Sequence, residues 1–394
     1  MLPRGQTPAS EAPGPAQGCC LTEPAALVTE LLAWYRRCGR DLPWRRTRDP
    51  YRIWLSEIML QQTGVPAVQD YYRRFLERFP NLAALAAASL DEVLALWAGL
   101  GYYSRARNLH AAACQLVAEQ QGCFPMEVEQ LMQLPGIGRS TAGAIRSIAF
   151  DRPGPILDGN VRRVLCRLLA LQLPPRSPAA ERQLWHWVER LTPTAAAHDY
   201  AQAIMDLGAL ICRPRQPDCD RCPLAGHCHG RRLGLQQQLP LRSRRPAVPL
   251  RLEVALLIET PHGIAVRQRP LRGLLGGLWE FPCLQLAQEA DAAAAEIGLL
   301  QQLQQQLGLR DLAQPLGQVR HVYSHFRLQL YAYRILLGGT ADLPADWRWL
   351  TPEQLSAWPL HGSHAKILPL LSAAPGRALS LAKEALCPCP MSPC

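Results

Sequence analysis

The chain has 394 residues, enough for two domains that each bury a core. It is 48% hydrophobic and 19% charged, and no apolar run is long enough to cross a bilayer, which excludes a helical membrane protein. The net charge of +10 is uneven: 30 Lys/Arg face 21 Asp/Glu before residue 247, and 12 face 11 from there on, so the N-terminal part is expected to meet a polyanion.

Fourteen cysteines in a chain of this size, without a secretion signal, point to reduced thiols or metal ligands. Residues 1–21 carry Pro3, Pro8, Pro13 and Pro15 and no apolar segment. They read as a disordered tail, and a cytoplasmic or nucleoid location with no targeting signal is expected. From 22 to 229 helix follows helix. Ser89-Leu90-Asp91-Glu92 fits a capping box ahead of Val93, Leu94, Leu96 and Trp97. Gly99 and Gly101 then break the chain, and a long helix is predicted from Arg105 to Gln121, ending at Gly122.

Leu134-Pro135-Gly136-Ile137-Gly138-Arg139-Ser140 is a helix–hairpin–helix pattern. A helix over Glu127–Leu134 is stopped by Pro135, Gly136 and Gly138 allow a sharp turn, and helix resumes after Gly138. The free amides and positive dipole end of that second helix favour an anion such as a phosphate. Asp158 follows 20 residues after Gly138, and a carboxylate near a phosphate grip suggests chemistry on a nucleic acid. Further helices are predicted over Val161–Leu171, Glu181–Leu191 and Tyr200–Ile211.

Cys212, Cys219, Cys222 and Cys228 follow C-x6-C-x2-C-x5-C. Four thiolates so close can close around one metal centre, and such a set suits zinc or an iron–sulfur cluster alike. The same loop offers Arg213, Arg215 and Arg221 to phosphates. Residues 230–249 form a basic linker with Pro240, Pro246 and Pro249. The pattern then changes. Leu252, Val254, Leu256 and Ile258 alternate, Pro261-His262-Gly263 turns the chain, and Ile264–Gln268 completes a hairpin. Further strands are predicted at Leu316–Tyr323 and Phe326–Ile335, with a helix at Glu296–Leu307. The expected architecture is therefore a mostly α-helical domain over 22–229 and an α+β domain over 250–370, followed by a tail over 371–394.

Several stretches in order carry a family resemblance: Leu42-Pro43-Trp44-Arg45, Trp54 to Thr63, Gly99 to Arg105, the hairpin, Asp158 to Arg163 and the cysteine loop. From about residue 25 to 370 they resemble the endonuclease III superfamily of DNA glycosylases, and within it the adenine-removing type of mismatch repair. The resemblance implies a helix–hairpin–helix fold, one 4Fe–4S cluster on the four cysteines, and a monomer acting on double-stranded DNA with 8-oxoguanine:adenine or guanine:adenine mispairs.

Breaking the bond from sugar to adenine needs a proton for the leaving base and a negative charge beside the developing oxocarbenium ion. Glu57, in an apolar helical run, is expected to hold its proton as the general acid. Asp158, at a helix start where the dipole favours ionisation, is the charge-stabilising or covalent partner. By resemblance Gln62 and Tyr102 enter the duplex. Trp44, Arg45 and Asn160 line the pocket with Arg40 and Gln202, and Gly136, Gly138 and Ser140 form the hairpin grip. Strand-cleaving relatives carry a lysine where this chain has Ser140; serine cannot form a Schiff base, so base removal alone is expected.

Gly276 to Pro282 resembles the start of a Nudix fold. The helix that would hold Mg²⁺ reads Gln301-Gln302-Leu303-Gln304-Gln305-Gln306, amides where carboxylates are needed. The expectation is recognition of 8-oxoguanine without hydrolysis. The family's recognition loop reads Phe-Ser-His, and this chain has Tyr323-Ser324-His325.

Overall fold

The computed structural model describes residues 21, 23–241, 248–271, 273–286, 314–323, 325–337, 343–344 and 346–372. The predicted helix at Glu296–Leu307, the glutamine run and Ser324 lie outside them. The chain divides into two compact units, Met1–Ala87 with Asn108–Arg245, and Ala88–Arg107 with Pro246–Cys394. By packing, Ala88–Arg107 is thus counted with the second unit, although the residue pattern runs on as helix.

The first unit is helical. It contains α1 (Pro24–Cys38), α2 (Pro50–Leu60), α3 (Val65–Arg78) and α4 (Leu82–Ala87). After α5 (Leu90–Trp97), which falls in the second unit, α6 (Ser104–Gln120) crosses the division. Then come α7 (Val128–Leu131), α8 (Arg139–Phe150), α9 (Gly159–Leu168), α10 (Pro178–Leu191) and α11 (Ala197–Asp206). Local chemistry sets the starts. Asp49 accepts from the Tyr51 amide and Pro50 opens α2. Ser89 and Glu92 form the predicted capping box on α5. Asp158 caps α9, accepting from the Val161 amide at 2.7 Å.

Three predicted helices end early, and the one expected over Val161–Leu171 stops as α9 at Leu168. The one expected over Glu127–Leu134 is only α7, because Gln133 and Leu134 bond three residues back, tightening the last turn before Pro135. The one expected over Tyr200–Ile211 is α-helical only to Asp206; Leu207–Ile211 widens to a π-turn, with the Cys212 amide bonding the Leu207 carbonyl at 2.7 Å. Leu27, Leu31, Val161, Leu165, Leu184, Val188 and Ile204 join α1, α9, α10 and α11 in one apolar core. Each such side chain contributes about 1.5–3 kcal/mol by leaving water.

The second unit holds a mixed sheet of β1 (Leu250–Thr260), β2 (Gly263–Gln268), β3 (Trp279–Glu280), β4 (Cys283–Gln285), β5 (Gln314–Val322), β6 (Arg327–Leu336) and β7 (Trp347–Leu350). The order is β3-β2-β1-β6-β5, with β4 beside β1 and β7 beside β2. β1 runs parallel to β6 and antiparallel to β2. Its alternation does not separate core from solvent. Val254, Leu256 and Ile258 face one apolar cluster, and Ala255 and Leu257 face another. A strand covered on both faces is the centre of its domain.

Candidate active site

A cavity of about 630 Å³ opens in the first unit, walled by the turn at Pro43–Arg45, α2, the N-terminal turns of α8 and α9, and α11. It gathers Arg40, Trp44, Arg45, Glu57, Gln62, Ser140, Asp158, Asn160 and Gln202. Tyr102 lies in the span counted with the second unit, and Gly136 and Gly138 lie on the hairpin outside the cavity wall.

The two carboxylates differ in surroundings. Glu57 sits between Ser56 and Ile58 on a helix that also buries the apolar Ile53, Trp54, Leu55 and Met59. Burial, reinforced by the charge of Asp158 and opposed by Arg45, pushes its carboxyl up to about 7. Asp158 accepts hydrogen bonds from the Val161 amide at 2.7 Å and from Asn160 Nδ2 at 3.2 Å. These bonds and the Arg163 charge favour its anion, as expected of a helix cap, but burial outweighs them and raises its carboxyl above the ordinary value. Asn160 is itself held, its Oδ1 accepting from Arg163 Nη2 at 2.9 Å.

A buried acid that the sequence reading missed organises the opposite wall. Asp206, fully buried, accepts from Arg45 Nη1 and Nη2 at 2.6 and 2.7 Å, and from Arg40 Nε at 2.7 Å. Burial alone would raise its carboxyl, yet these bonds and the charge of Arg45 hold it below the ordinary range. The pair fixes Arg45 at the cavity and sets a positive charge near Glu57. The available signal was the spacing of Gln202 and Asp206, four apart on one helix face. Trp44 is buried edge-on against Tyr72, 5.3 Å between centroids.

Gln62 and Tyr102 have φ of 60° and 50°. Neither is glycine, and both side chains are exposed. At the hairpin, Gly136 has φ of 78°, and a Cβ there would lie 2.7 Å from Asn108 Cβ. α8 starts at Gly138 without a side-chain cap, so its first amides stay available. Ser140 Oγ accepts from the Leu157 amide at 3.0 Å, tying the hairpin to the segment that enters Asp158.

The four cysteines of the loop line one small cavity with Arg167 and Arg231. Arg167 is 2% exposed and donates to the carbonyls of Leu239, Arg213 and Pro214 and to Cys212 Sγ at 3.3 Å. The Arg231 amide donates to Cys228 Sγ at 3.4 Å. Donors aimed at sulfur suit thiolates that carry negative charge. Among the described residues the four sulfurs do not form a group with all ligand atoms within 4.8 Å of one another.

The described group that does close within 4.8 Å is Glu280, Cys283 and His364 in the second unit. It is an ion-pair core. Glu280 pairs with Arg267 at 2.8 Å and with Arg269, and His361 Nε2 donates to it. His364 Nδ1 already accepts from the Phe281 amide at 2.9 Å. Two guanidinium groups supply the positive charge that a cation would bring. Tyr323 is anchored to this core: its hydroxyl donates to Ser363 Oγ at 2.9 Å, and its ring lies between His321 and Phe326. The hydroxyl that departs from the family's phenylalanine thus points inward, while His325 is exposed.

Residues 55–190 match the HhH-GPD superfamily of base excision DNA repair proteins, and residues 253–370 match the NUDIX domain. The class is a helix–hairpin–helix DNA glycosylase carrying a Nudix-like domain. An adenine DNA glycosylase of Homo sapiens is 37% identical over 393 residues, covering 85% of this chain and 72% of that one. One of Rattus norvegicus is 39% identical, covering 85% and 75%. One of Mycolicibacterium smegmatis is 42% identical over 206 residues, covering 52% and 69%. The chain belongs to the adenine DNA glycosylase family, hydrolases of N-glycosyl bonds in base excision repair. Among its described residues no helix is long and apolar enough to cross a membrane.

Proposed function

We propose that the chain removes adenine paired with 8-oxoguanine or guanine in double-stranded DNA, leaves the strand uncut, and holds one 4Fe–4S cluster. The observation that carries the reading is the pairing of Glu57 and Asp158 in one cavity with different surroundings: burial and the charge of Asp158 hold a proton on Glu57, while at Asp158 the Val161 and Asn160 hydrogen bonds and the Arg163 charge favour the anion against the burial that raises its carboxyl.

The adenosine must leave the stack to reach these groups. Glu57 gives its proton to a ring nitrogen of adenine. The bond from C1′ to the base breaks with its electron pair on the leaving adenine. Asp158 stabilises the cation left on the sugar, as a counter-charge or a covalent partner. Water adds to C1′ and gives up a proton, which returns the pair to its starting state. Ser140 offers no amine, and its oxygen is engaged by the Leu157 amide.

Cys212, Cys219, Cys222 and Cys228 fit the cluster by their sulfur donors and spacing. When bound, it would cross-link the loop 212–228; none of the four cysteines lines the Glu57 cavity. The domains proposed are the glycosylase over 22–229, with Gly136 and Gly138 gripping phosphate and Gln62 and Tyr102 entering the duplex, and the Nudix-like domain over 250–370. Tyr323, Ser324 and His325 form its 8-oxoguanine-reading loop, supported by the anchorage of Tyr323 and the exposure of His325.

Single-turnover reaction of an 8-oxoguanine:adenine duplex, analysed with and without alkali, tests the reading. Free adenine with strand breaks only after alkali is expected. Breaks without alkali, or a borohydride-trapped adduct lost in Ser140→Ala, would overturn it.

A further inference from the structure

α11 presents His198, Gln202 and Asp206 at four-residue intervals. Asp206 is taken up by the two arginines. The polarity of the other pair can be read atom by atom. His198 Nδ1 lies 2.7 Å from the carbonyl oxygen of Ile148. A carbonyl only accepts, so the imidazole proton sits on Nδ1, and Nε2 of the neutral ring is an acceptor. The Gln202 side-chain nitrogen lies 2.6 Å from Nε2 and 3.3 Å from the His198 carbonyl oxygen. Both partners accept, so the amide must turn its NH₂ group toward His198.

This leaves Oε1 of Gln202 buried without a hydrogen-bond partner, on a residue that lines the cavity with Glu57 and Asp158. A buried acceptor left open in a site that binds a base is complementary to a donor on that base. Burial lowers the His198 imidazole below its ordinary range, and Arg48 adds to this. The bond to Ile148 and the carboxylates of Asp199 and Asp151 act the other way without reversing it. The neutral ring that the geometry requires is therefore the favoured one.

We propose that His198 is a positioning residue that fixes the donor–acceptor polarity of Gln202, so that the cavity offers an acceptor to the exocyclic amine of the extruded base. The inference rests on the reading of this cavity as the adenine site. Adenine presents an N6 amine, a donor, where hypoxanthine presents an oxygen on the same ring system. A fixed Oε1 accepts from the first and repels the second. A Gln202 free to rotate can turn its NH₂ to the oxygen, and the discrimination is lost.

The experiment measures single-turnover excision of adenine and of hypoxanthine, each opposite 8-oxoguanine, by the full chain and by His198→Leu and His198→Gln. The ratio of the two rates is taken within one preparation, so a partly folded variant does not distort it. Leucine removes the acceptor, and the adenine-over-hypoxanthine ratio is expected to fall about fivefold or more. Glutamine can return an acceptor near the Nε2 position and is expected to keep the ratio of the unaltered protein. A smaller fall in the leucine variant overturns the proposal, as does a glutamine variant no better than leucine. If the unaltered protein removes no adenine, the site reading itself fails and the proposal with it.

Discussion

On the proposed function, Glu57 is the residue on which the chemistry turns, because its proton must be present before the base can leave. Its carboxyl is raised to about 7 by burial and by Asp158. A general acid with a raised value is protonated, and active, below that pH, and is progressively lost above it. The single-turnover rate constant should be level in the acidic range and fall by about tenfold per pH unit above about 7. Glu57→Gln keeps the shape and cannot supply that proton. It should lower the rate by about 10²–10⁴-fold and flatten the alkaline limb. A variant that retains the limb would assign the ionisation to another group.

Glu57 could be picked out from sequence because a lone carboxylate in an apolar helical run is conspicuous, and Asp158 because it precedes a helix. Asp206 and His198 show in the sequence only a four-residue spacing from Gln202, which gives neither burial nor a partner. A buried polar group on an apolar helix declares itself only through partners distant in sequence, here Arg40, Arg45 and the Ile148 carbonyl. Tyr323 shows the same limit. Its extra hydroxyl has no meaning until Ser363, 40 residues on, is seen to accept from it.

At the scale of elements, α9 joins the two chemically distinctive regions of the first unit. Asp158 caps it, Asn160 and Arg163 follow on one face, and Arg163 Nε donates to the Cys212 carbonyl at 2.8 Å. One helical turn further, Arg167 stitches the cysteine loop to the helix. The regular cysteine spacing announces the loop in the sequence. Which of Arg162, Arg163 and Arg167 is buried does not show there, because the three look alike on a basic helix. Arg167→Met fills the volume and leaves the Leu239, Arg213 and Pro214 carbonyls and the Cys212 sulfur without their charged donor, while the Cys212 carbonyl keeps Arg163. A loss of about 3 kcal/mol or more in unfolding free energy is expected, since each unpaired buried acceptor costs about 1–3 kcal/mol. Denaturant titration measures it, and iron analysis of the same preparations should show a loss below the about four atoms per chain expected of one cluster. Unchanged stability and iron content would mean that the loop closes without this arginine.

Across the whole molecule, the proposed function divides charge and recognition chemistry between different stretches of chain. Nearly all of the net positive charge lies before residue 247, while the Tyr323–His325 loop belongs to a part with 12 basic and 11 acidic residues. Phosphate contacts hold a protein on the duplex without reading it, and base contacts read it. On the proposed function, salt should therefore act on one property and spare the other. Raising salt from about 50 to 200 mM makes the release of counterions on binding less favourable, and log affinity should fall against log salt with a slope of about −0.9 per phosphate contact. That slope should be the same for 8-oxoguanine:adenine and guanine:adenine duplexes, because both present the same phosphates to the basic surface. The ratio of the two affinities should stay constant to within about twofold, since a shared counterion term cancels from it. Fluorescence anisotropy with both duplexes over the salt series measures slope and ratio together. A ratio that collapses toward unity as salt rises would place the preference for 8-oxoguanine in electrostatics, and would remove the Tyr323–His325 loop from the reading of the opposite base.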